Sequence, residues 1–352
     1  MHRIEELPVP TSVDDPAMAG FRAAVEVRNI VQEAIYGPEI GPVPAEELLP
    51  NWSDPYQPKR LFVAVADDRV VARGVLEWPT EGAPDVVYLL NEVLPEYRGR
   101  GIGAAVYDAL VTGARELGRT TLQGYFAAVE TAGERVVPAT GVGSVPAADA
   151  GVRFASARGW TLEQVERGSR LGLPVPDIDE QLARAQAASG DDWRVHTWID
   201  RAPAAFVPDL AELATGMGTD APSAELEAED PWTPERWLEE EERHVASPRR
   251  SLMAAVEHVP TGRIAGFTAL DVPADRARAV GQEDTIVGRA YRGHRLGMLL
   301  KVANLAHLQR EYPGYPSVIT FNAEENRHML AVNEAVGFEP LVYEGAWKKV
   351  LD

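Results

Sequence analysis

A duplicated glycine turn limits what this chain can fold into. Glu96-Tyr-Arg-Gly-Arg-Gly-Ile-Gly-Ala104 is matched 194 positions later by Ala290-Tyr-Arg-Gly-His-Arg-Leu-Gly-Met298, each between a strand-like and a helix-like run. Glycines let the backbone approach a ligand closely. The first amides of the following helix point outward without intrahelical partners, at the positive end of its dipole. Such a turn is an anion cradle made mostly of main chain. Arg98 and Arg100 in the first copy, and Arg292, His294 and Arg295 in the second, add charge-assisted donors. A lone Gly-x-Gly is weak evidence, but recurrence in the same strand-turn-helix context is much stronger.

A chain of 352 residues exceeds one ordinary core, and the repeat spacing fits two domains, 1–175 and 193–352, joined by a linker at 176–192. The linker region is rich in proline and acidic residues around a short alanine-rich helix. With 45% hydrophobic and 25% charged residues the composition is that of a folded globular protein. The net charge of −20 argues against nucleic acid and favours a cationic small molecule, although an acidic surface that only keeps the chain in solution explains it as well. No secretory or membrane-spanning segment is evident, so a cytoplasmic location is expected. Zero cysteines exclude disulfides, thiolate metal sites and a cysteine nucleophile. The seven histidines form no His-Glu-x-x-His pair, so no metal is expected.

Along the first half, Met18 to Tyr36 reads as an amphipathic helix and 41–59 as a proline-rich loop. Leu61 to Ala66 and Arg69 to Trp78 read as a hairpin about Asp67-Asp68, and Val86 to Val93 as the strand before the turn. A helix from Ile102 and a strand from Thr120 to Val129 follow. The second half repeats the order. A helix over 203–217 and one capped by Thr233 with Pro234 at its first position precede a hairpin about Pro260-Thr-Gly. Then come a strand over 282–287, a helix over 296–310 and a strand over 317–321. Gly74 precedes Arg98 by 24 positions, and Gly266 precedes Arg292 by 26. A Gly-aromatic pair closes each half, at Gly159-Trp160 and Gly337-Phe338.

Arg98-Gly-Arg-Gly-Ile-Gly fully matches, and Arg292-Gly-His-Arg-Leu-Gly matches with Arg295 for the first glycine, the pyrophosphate motif of the GCN5-related N-acetyltransferases. The chain thus resembles a tandem of two such domains over nearly its whole length. The resemblance implies an α/β (α+β) fold, each domain a mixed, mostly antiparallel sheet flanked by helices and splayed where acetyl-CoA enters. The implied activity is direct transfer of an acetyl group to a primary amine of a small molecule. A non-catalytic CoA-binding or partner-binding scaffold is the alternative.

By the same resemblance, Arg98, Gly99, Arg100, Gly101, Ile102 and Gly103, with Val93, hold cofactor in the first half. Ile286, Val287, Arg292, Gly293, His294, Arg295, Leu296 and Gly297, with Asn322 and Asn326, do so in the second. Family bases occur nine or eleven residues before the motif's first Arg. Only the second half offers a carboxylate there, Glu283, against Leu89 and Val87 in the first. Glu92 is the first half's nearest substitute, on the opposite face by simple alternation unless a bulge intervenes. The second domain is therefore expected to be catalytic and the first a degenerate copy. Asn333 and Ala155 stand where relatives have a tyrosine acid, leaving Tyr343, Tyr291 or water for that role. Glu229, Asp230 and Trp232 form an acidic-aromatic loop expected to receive the amine.

Overall fold

The computed structural model describes residues 2–220, 223–226 and 231–352. Among these residues, no helix is long and apolar enough to cross a membrane. The described residues divide into two compact units: unit 1 holds 2–166, 223–226 and 342–352, and unit 2 holds 167–220 and 231–341.

In unit 1, β1 (His2–Leu7) is followed by α1 (Met18–Tyr36) and α2 (Ala45–Trp52). The expected loop at 41–59 thus contains a helix. Its Ala-Glu-Glu-Leu-Leu run favours a helix, Pro44 caps it, and Leu49 and Trp52 find partners on α1, with Trp52 edge-on to Phe21 at 5.1 Å. β2 (Lys59–Ala66) and β3 (Arg69–Glu77) form the expected hairpin. Its turn residues Asp67 and Asp68 both take positive φ, 51° and 57°, as the favoured two-residue hairpin turn requires. β4 (Val86–Val93), α3 (Ile102–Glu116) and β5 (Thr121–Ala128) follow. The extra chain before the Gly-aromatic pair forms a small ribbon, β6 (Arg135–Val136) with β7 (Val145–Pro146), leading to α4 (Ala150–Ala157) and β8 (Thr161–Gly172).

In unit 2, α5 (Ile178–Ser189) lies within the expected linker and packs on the long helix of this unit, with Ile178 and Ala185 in its core. Then come β9 (Trp193–Ile199), α6 (Val207–Asp220), α7 (Pro234–Ala246), β10 (Arg250–His258), β11 (Arg263–Val272) and β12 (Val280–Val287). α7 starts as expected, with the Thr233 hydroxyl accepting from Arg236 N at 3.2 Å. α8 (Leu296–Glu311), β13 (Ser317–Ala323), α9 (Arg327–Val336) and β14 (Glu339–Val350) complete the chain.

Unit 1 has strand order β1-β2-β3-β4-β5-β14, and unit 2 has β13-β12-β11-β10-β9. Each unit has one short parallel pair. β4 pairs with β5 only from Val86↔Thr121 to Tyr88↔Gln123, and β12 with β13 only at Val280↔Val318 and Gly281↔Ile319. Beyond those pairs the strands part, so the later backbone groups of β4 and β12 face a gap. Each sheet is covered on both faces: by α3 and α4 against α1 and α2 in unit 1, and by α8 against α6 and α7 in unit 2.

Gly74 and Gly266 explain why the two halves share these anchors. A Cβ on Gly74 would stand 2.7 Å from Val106 of α3, and one on Gly266 would stand 2.5 Å from the Ile286 carbonyl and 3.3 Å from Leu300 of α8. Only a residue without a side chain lets the helix settle this close to the splayed strand.

Candidate functional site

Both turns fold alike. Arg98 Nε donates to the Val93 carbonyl at 3.1 Å, and Arg292 Nε donates to the Val287 carbonyl at 3.2 Å. The motif arginines thus tie the turn back to the strand it leaves. Arg100 also folds back, bonding the Glu96 carbonyl at 2.8 Å and lying 4.9 Å from the Tyr97 ring centre. Gly101 enters α3 with φ 80°, and Arg295 enters α8 with φ 59°, both left-handed and neither helped by a side-chain cap. Arg295 therefore adopts the backbone of the glycine it replaces. The first α8 amide to find a backbone acceptor is Leu299 N, at 3.3 Å from Arg295 O, leaving the amides before it for a ligand.

The turns differ in what faces them. Gly297 has nothing within 4 Å of a Cβ position, whereas a Cβ on Gly103 would meet Val93 at 3.4 Å, Phe154 at 3.7 Å and Asn91 at 4.0 Å. Phe154 projects from α4 and is held in place by Tyr107, edge-on at 5.7 Å, and by the Arg158 guanidinium 3.6 Å from its ring centre. Asn91 Nδ2 bonds the Gly103 carbonyl at 2.9 Å. Counted from the Gly-aromatic pair, the α9 residue matching Phe154 is Val332; counted from the motif arginine, the β12 residue matching Asn91 is Thr285. Thr285 turns to Thr268 instead, Oγ1 to Oγ1 at 2.7 Å. In unit 1 the side chains of Phe154 and Asn91 thus stand at contact distance in front of Gly103, and the matching position over Gly297 in unit 2 is open. The residues of unit 2 fit a pyrophosphate-bearing cofactor: outward amides, a clear approach over Gly297 and a parted strand edge at Ile286 and Val287.

Glu283 sits where β12 departs from regular pairing. Gln282 faces Leu270 and Thr285 faces Thr268, so Glu283 and Asp284 together oppose Ala269, which is a β-bulge. The Gln282 side-chain amide secures it, donating to Ala269 O at 2.7 Å, Glu283 O at 3.1 Å and Thr268 Oγ1 at 3.0 Å. Alternation alone would put Glu283 and Ile286 on opposite faces. The bulge returns both to the face covered by α6 and α7, where Ile286 joins the core and the Glu283 carboxylate lies beside Gly281 and Asp271. Glu283 and Asp284 are both exposed on the strand. Burial, then the negative charges of Asp271 and Asp284, push its carboxyl up to about 7, with Arg249 opposing.

Glu92, the substitute in unit 1, is not placed this way. β4 pairs with β3 in unbroken register from Ala72↔Val93 to Glu77↔Tyr88, so no bulge reverses its face. Its carboxylate forms a buried ion pair with Arg73 and accepts from Gln32 Nε2 at 3.0 Å.

Other expected site residues have partners of their own. Tyr343 belongs to unit 1, pairing with Ala128 and packing on that unit's core. Tyr291 packs against Trp193 and His258, with ring centres 5.8 and 5.3 Å away, and His294 lies 5.2 Å from Trp193. Asn326 caps α9 through Met329 N at 3.2 Å, and Asn322 accepts from Asn333 Nδ2 at 2.7 Å. Trp232 packs in the α6–α7 cluster with the Arg236 guanidinium 4.4 Å from its ring centre, so the chain's own cation already lies on that ring. Glu229 and Asp230 lie outside the described residues. Sequence reading missed Phe154, Asn91 and the Gln282 clasp. Only Gln282, next to the base position, carried a visible signal.

The acetyltransferase (GNAT) family model matches residues 26–134. No curated protein matches the chain by sequence. Among solved structures, a tandem GNAT protein from the clavulanic acid biosynthesis pathway, determined without acetyl-CoA, is 26% identical with a TM-score of 0.75, over 99% of this chain and 98% of that one. A GCN5-related N-acetyltransferase from Sphaerobacter thermophilus, 16% identical with a TM-score of 0.62 over 99% and 95% of the two chains, shares the fold. Two glycine turns on two splayed sheets, a GNAT family match over residues 26–134 and a likeness to a tandem GNAT protein along the full length show a tandem GNAT fold in this chain, with a GNAT-family domain at residues 26–134.

Proposed function

We propose that unit 2 is the working centre of an N-acetyltransferase acting on a primary amine of a small molecule. The observation that carries this reading is the contrast between the open approach over Gly297, with an exposed bulge carboxylate in the same unit, and the approach over Gly103, which Phe154 and Asn91 line and whose unit has a paired carboxylate.

The amides of Leu296 and Gly297 would hold the pyrophosphate of acetyl-CoA, and those of Ile286 and Val287, on the parted edge of β12, would orient its acyl end. When bound, acetyl-CoA supplies an activated thioester. Glu283 would take the proton from the incoming ammonium, directly or through one water, and its carboxyl near 7 is suited to that transfer at neutral pH. Alignment of amine and acyl carbon in one complex supplies much of the remaining acceleration. The net charge of −20 favours a cationic acceptor.

The test is thiol release from acetyl-CoA against a panel of polyamines, amino acids, aminoglycosides and arylamines, in the parent and in Gly103→Trp and Gly297→Trp. Loss of turnover and acetyl-CoA binding in Gly297→Trp alone is expected. Loss in Gly103→Trp alone would move the centre to unit 1. Acetyl-CoA binding without release for any acceptor would leave a scaffold.

A further inference from the structure

The end of unit 2 where β10 begins and β11 finishes holds a cavity that acetyl transfer does not use. Arg250 and Val272 stand there in register. Along β10, Leu252, Ala254 and Val256 pack with α8, whereas Met253 and Ala255 pack with α6. By alternation Arg250 faces the α8 side, and Arg249 faces the other, where it pairs with Asp271 at 2.5 Å. The cavity is therefore on the opposite face of the sheet from Glu283. It measures about 180 Å³, and its walls include Arg250, Arg276, Tyr312, Tyr315, Pro248 and Pro273.

Both arginines are weakly engaged. Arg276 is exposed and bonds the Pro313 carbonyl through Nη1 at 3.1 Å; among the described residues, no carboxylate stands within ion-pair distance of it. Arg250 has only long contacts, to Asp200 Oδ2 at 3.6 Å and to the Arg249 carbonyl at 3.4 Å. The acids nearby have other partners: Asp200 accepts from Ser251 N at 3.1 Å, and the exposed Asp275 accepts from Ala277 N at 2.9 Å. In a chain of net charge −20, two guanidinium groups on one cavity without a close carboxylate are a local exception.

The fork of N–H groups on each arginine matches the two oxygens of a carboxylate. The Tyr315 hydroxyl is taken by the Pro273 carbonyl at 2.6 Å, so this ring offers the cavity an apolar surface. Apolar walls with a few placed polar groups are the make-up of a small-molecule site. We propose that this cavity binds a small aromatic carboxylate, its oxygens held by Arg250 and Arg276 and its ring set against Tyr312, Tyr315 and the two prolines. Tyr312 ends α8, whose start carries the Gly297 cradle, and a helix of 16 residues separates the two by about 24 Å. The site is thus distinct from the cofactor cradle, and it does not depend on which residue is the base.

The experiment is calorimetric titration of the full chain with sodium benzoate, and with acetate and benzamide, which keep only the charge or only the ring. Saturable binding of benzoate is expected, at least tenfold tighter than either control. Arg250→Gln and Arg276→Gln should each weaken it at least tenfold, and the exposed Arg276 should be replaceable without a change in melting temperature. Arg310→Gln removes an exposed charge from the last turn of α8, outside the cavity walls, and should leave affinity unchanged. No saturable binding by the parent, acetate or benzamide binding as tightly as benzoate, unchanged affinity in Arg276→Gln, or an equal loss in Arg310→Gln would overturn the proposal.

Discussion

The Glu283 carboxylate lies directly over Gly281, so close that a Cβ at 281 would stand 2.7 Å from its Oε1. The crowded atom is the far end of a flexible side chain, so Gly281→Ala can be accommodated by moving the carboxylate instead of the backbone. We predict a melting temperature close to the parent's with turnover reduced roughly 10- to 100-fold, since an ångström of misplacement is that costly at a reacting centre. Equal turnover in the two proteins, measured at saturating acetyl-CoA, would show that the position of Glu283 is immaterial.

Glu283→Gln keeps the shape and removes the proton acceptor. Turnover should fall roughly 10²- to 10⁴-fold. In the parent, kcat/KM should rise with pH up to about 7 and then level off, because the base works only when ionised, and the variant should lose this limb. Stability carries the opposite sign. The folded carboxyl holds its proton up to about 7 against an ordinary 4.5, so its contribution is complete below 4.5 and is lost as pH rises through 7. Melting curves across that window should decline less in Glu283→Gln than in the parent.

Features governed by local rules were legible in the sequence. Met18–Tyr36 shows helical periodicity and ends at a glycine, and Asp67-Asp68 marks its turn because few residues tolerate two positive φ angles. The carboxylate at 283 was found through the family motif. What stayed hidden depends on distant contacts. α2 forms despite Pro50 because α1 and the sheet receive Leu49 and Trp52. The bulge at Glu283 appears only when β11 is set beside β12. Tyr343 follows α9 in the sequence, and that its strand pairs with β5 is not written in any local pattern. No spacing rule announces that Phe154 would stand against Gly103.

Arg295 holds a left-handed backbone at φ 59°, where its counterpart is Gly101. A side chain in that region costs about 1 kcal/mol relative to glycine. Arg295→Gly should therefore raise the unfolding midpoint, offset in part by the entropy glycine adds to the unfolded chain. If the α8 amides and not the Arg295 guanidinium hold the diphosphate, acetyl-CoA affinity should change less than threefold while its salt dependence stays the same. A large loss of affinity together with a flatter salt dependence would instead show that the guanidinium contacts the cofactor.

The contrast between the cradles can be reversed by design. Unit 1 retains the outward amides of α3, the left-handed Gly101 and the arginine tie to Val93, so only the side chains in front of Gly103 separate it from its twin. Replacing them by their counterparts in unit 2, Phe154→Val with Asn91→Thr, removes the ring 3.7 Å from the Gly103 Cβ position and the amide bonded to its carbonyl. Truncating a half-buried ring should cost roughly 1–3 kcal/mol, which a two-domain protein tolerates if the rest of the Tyr107–Arg158–Trp160 group stays in place. Calorimetry with acetyl-CoA should then give two sites per chain where the parent gives one. Turnover should not double, because Leu89 occupies the position where Glu283 stands in unit 2 and Glu92 remains tied to Arg73. A parent that already binds two equivalents would show that Phe154 does not close the cradle, and a double variant that still binds one would show that more than these two side chains shut it.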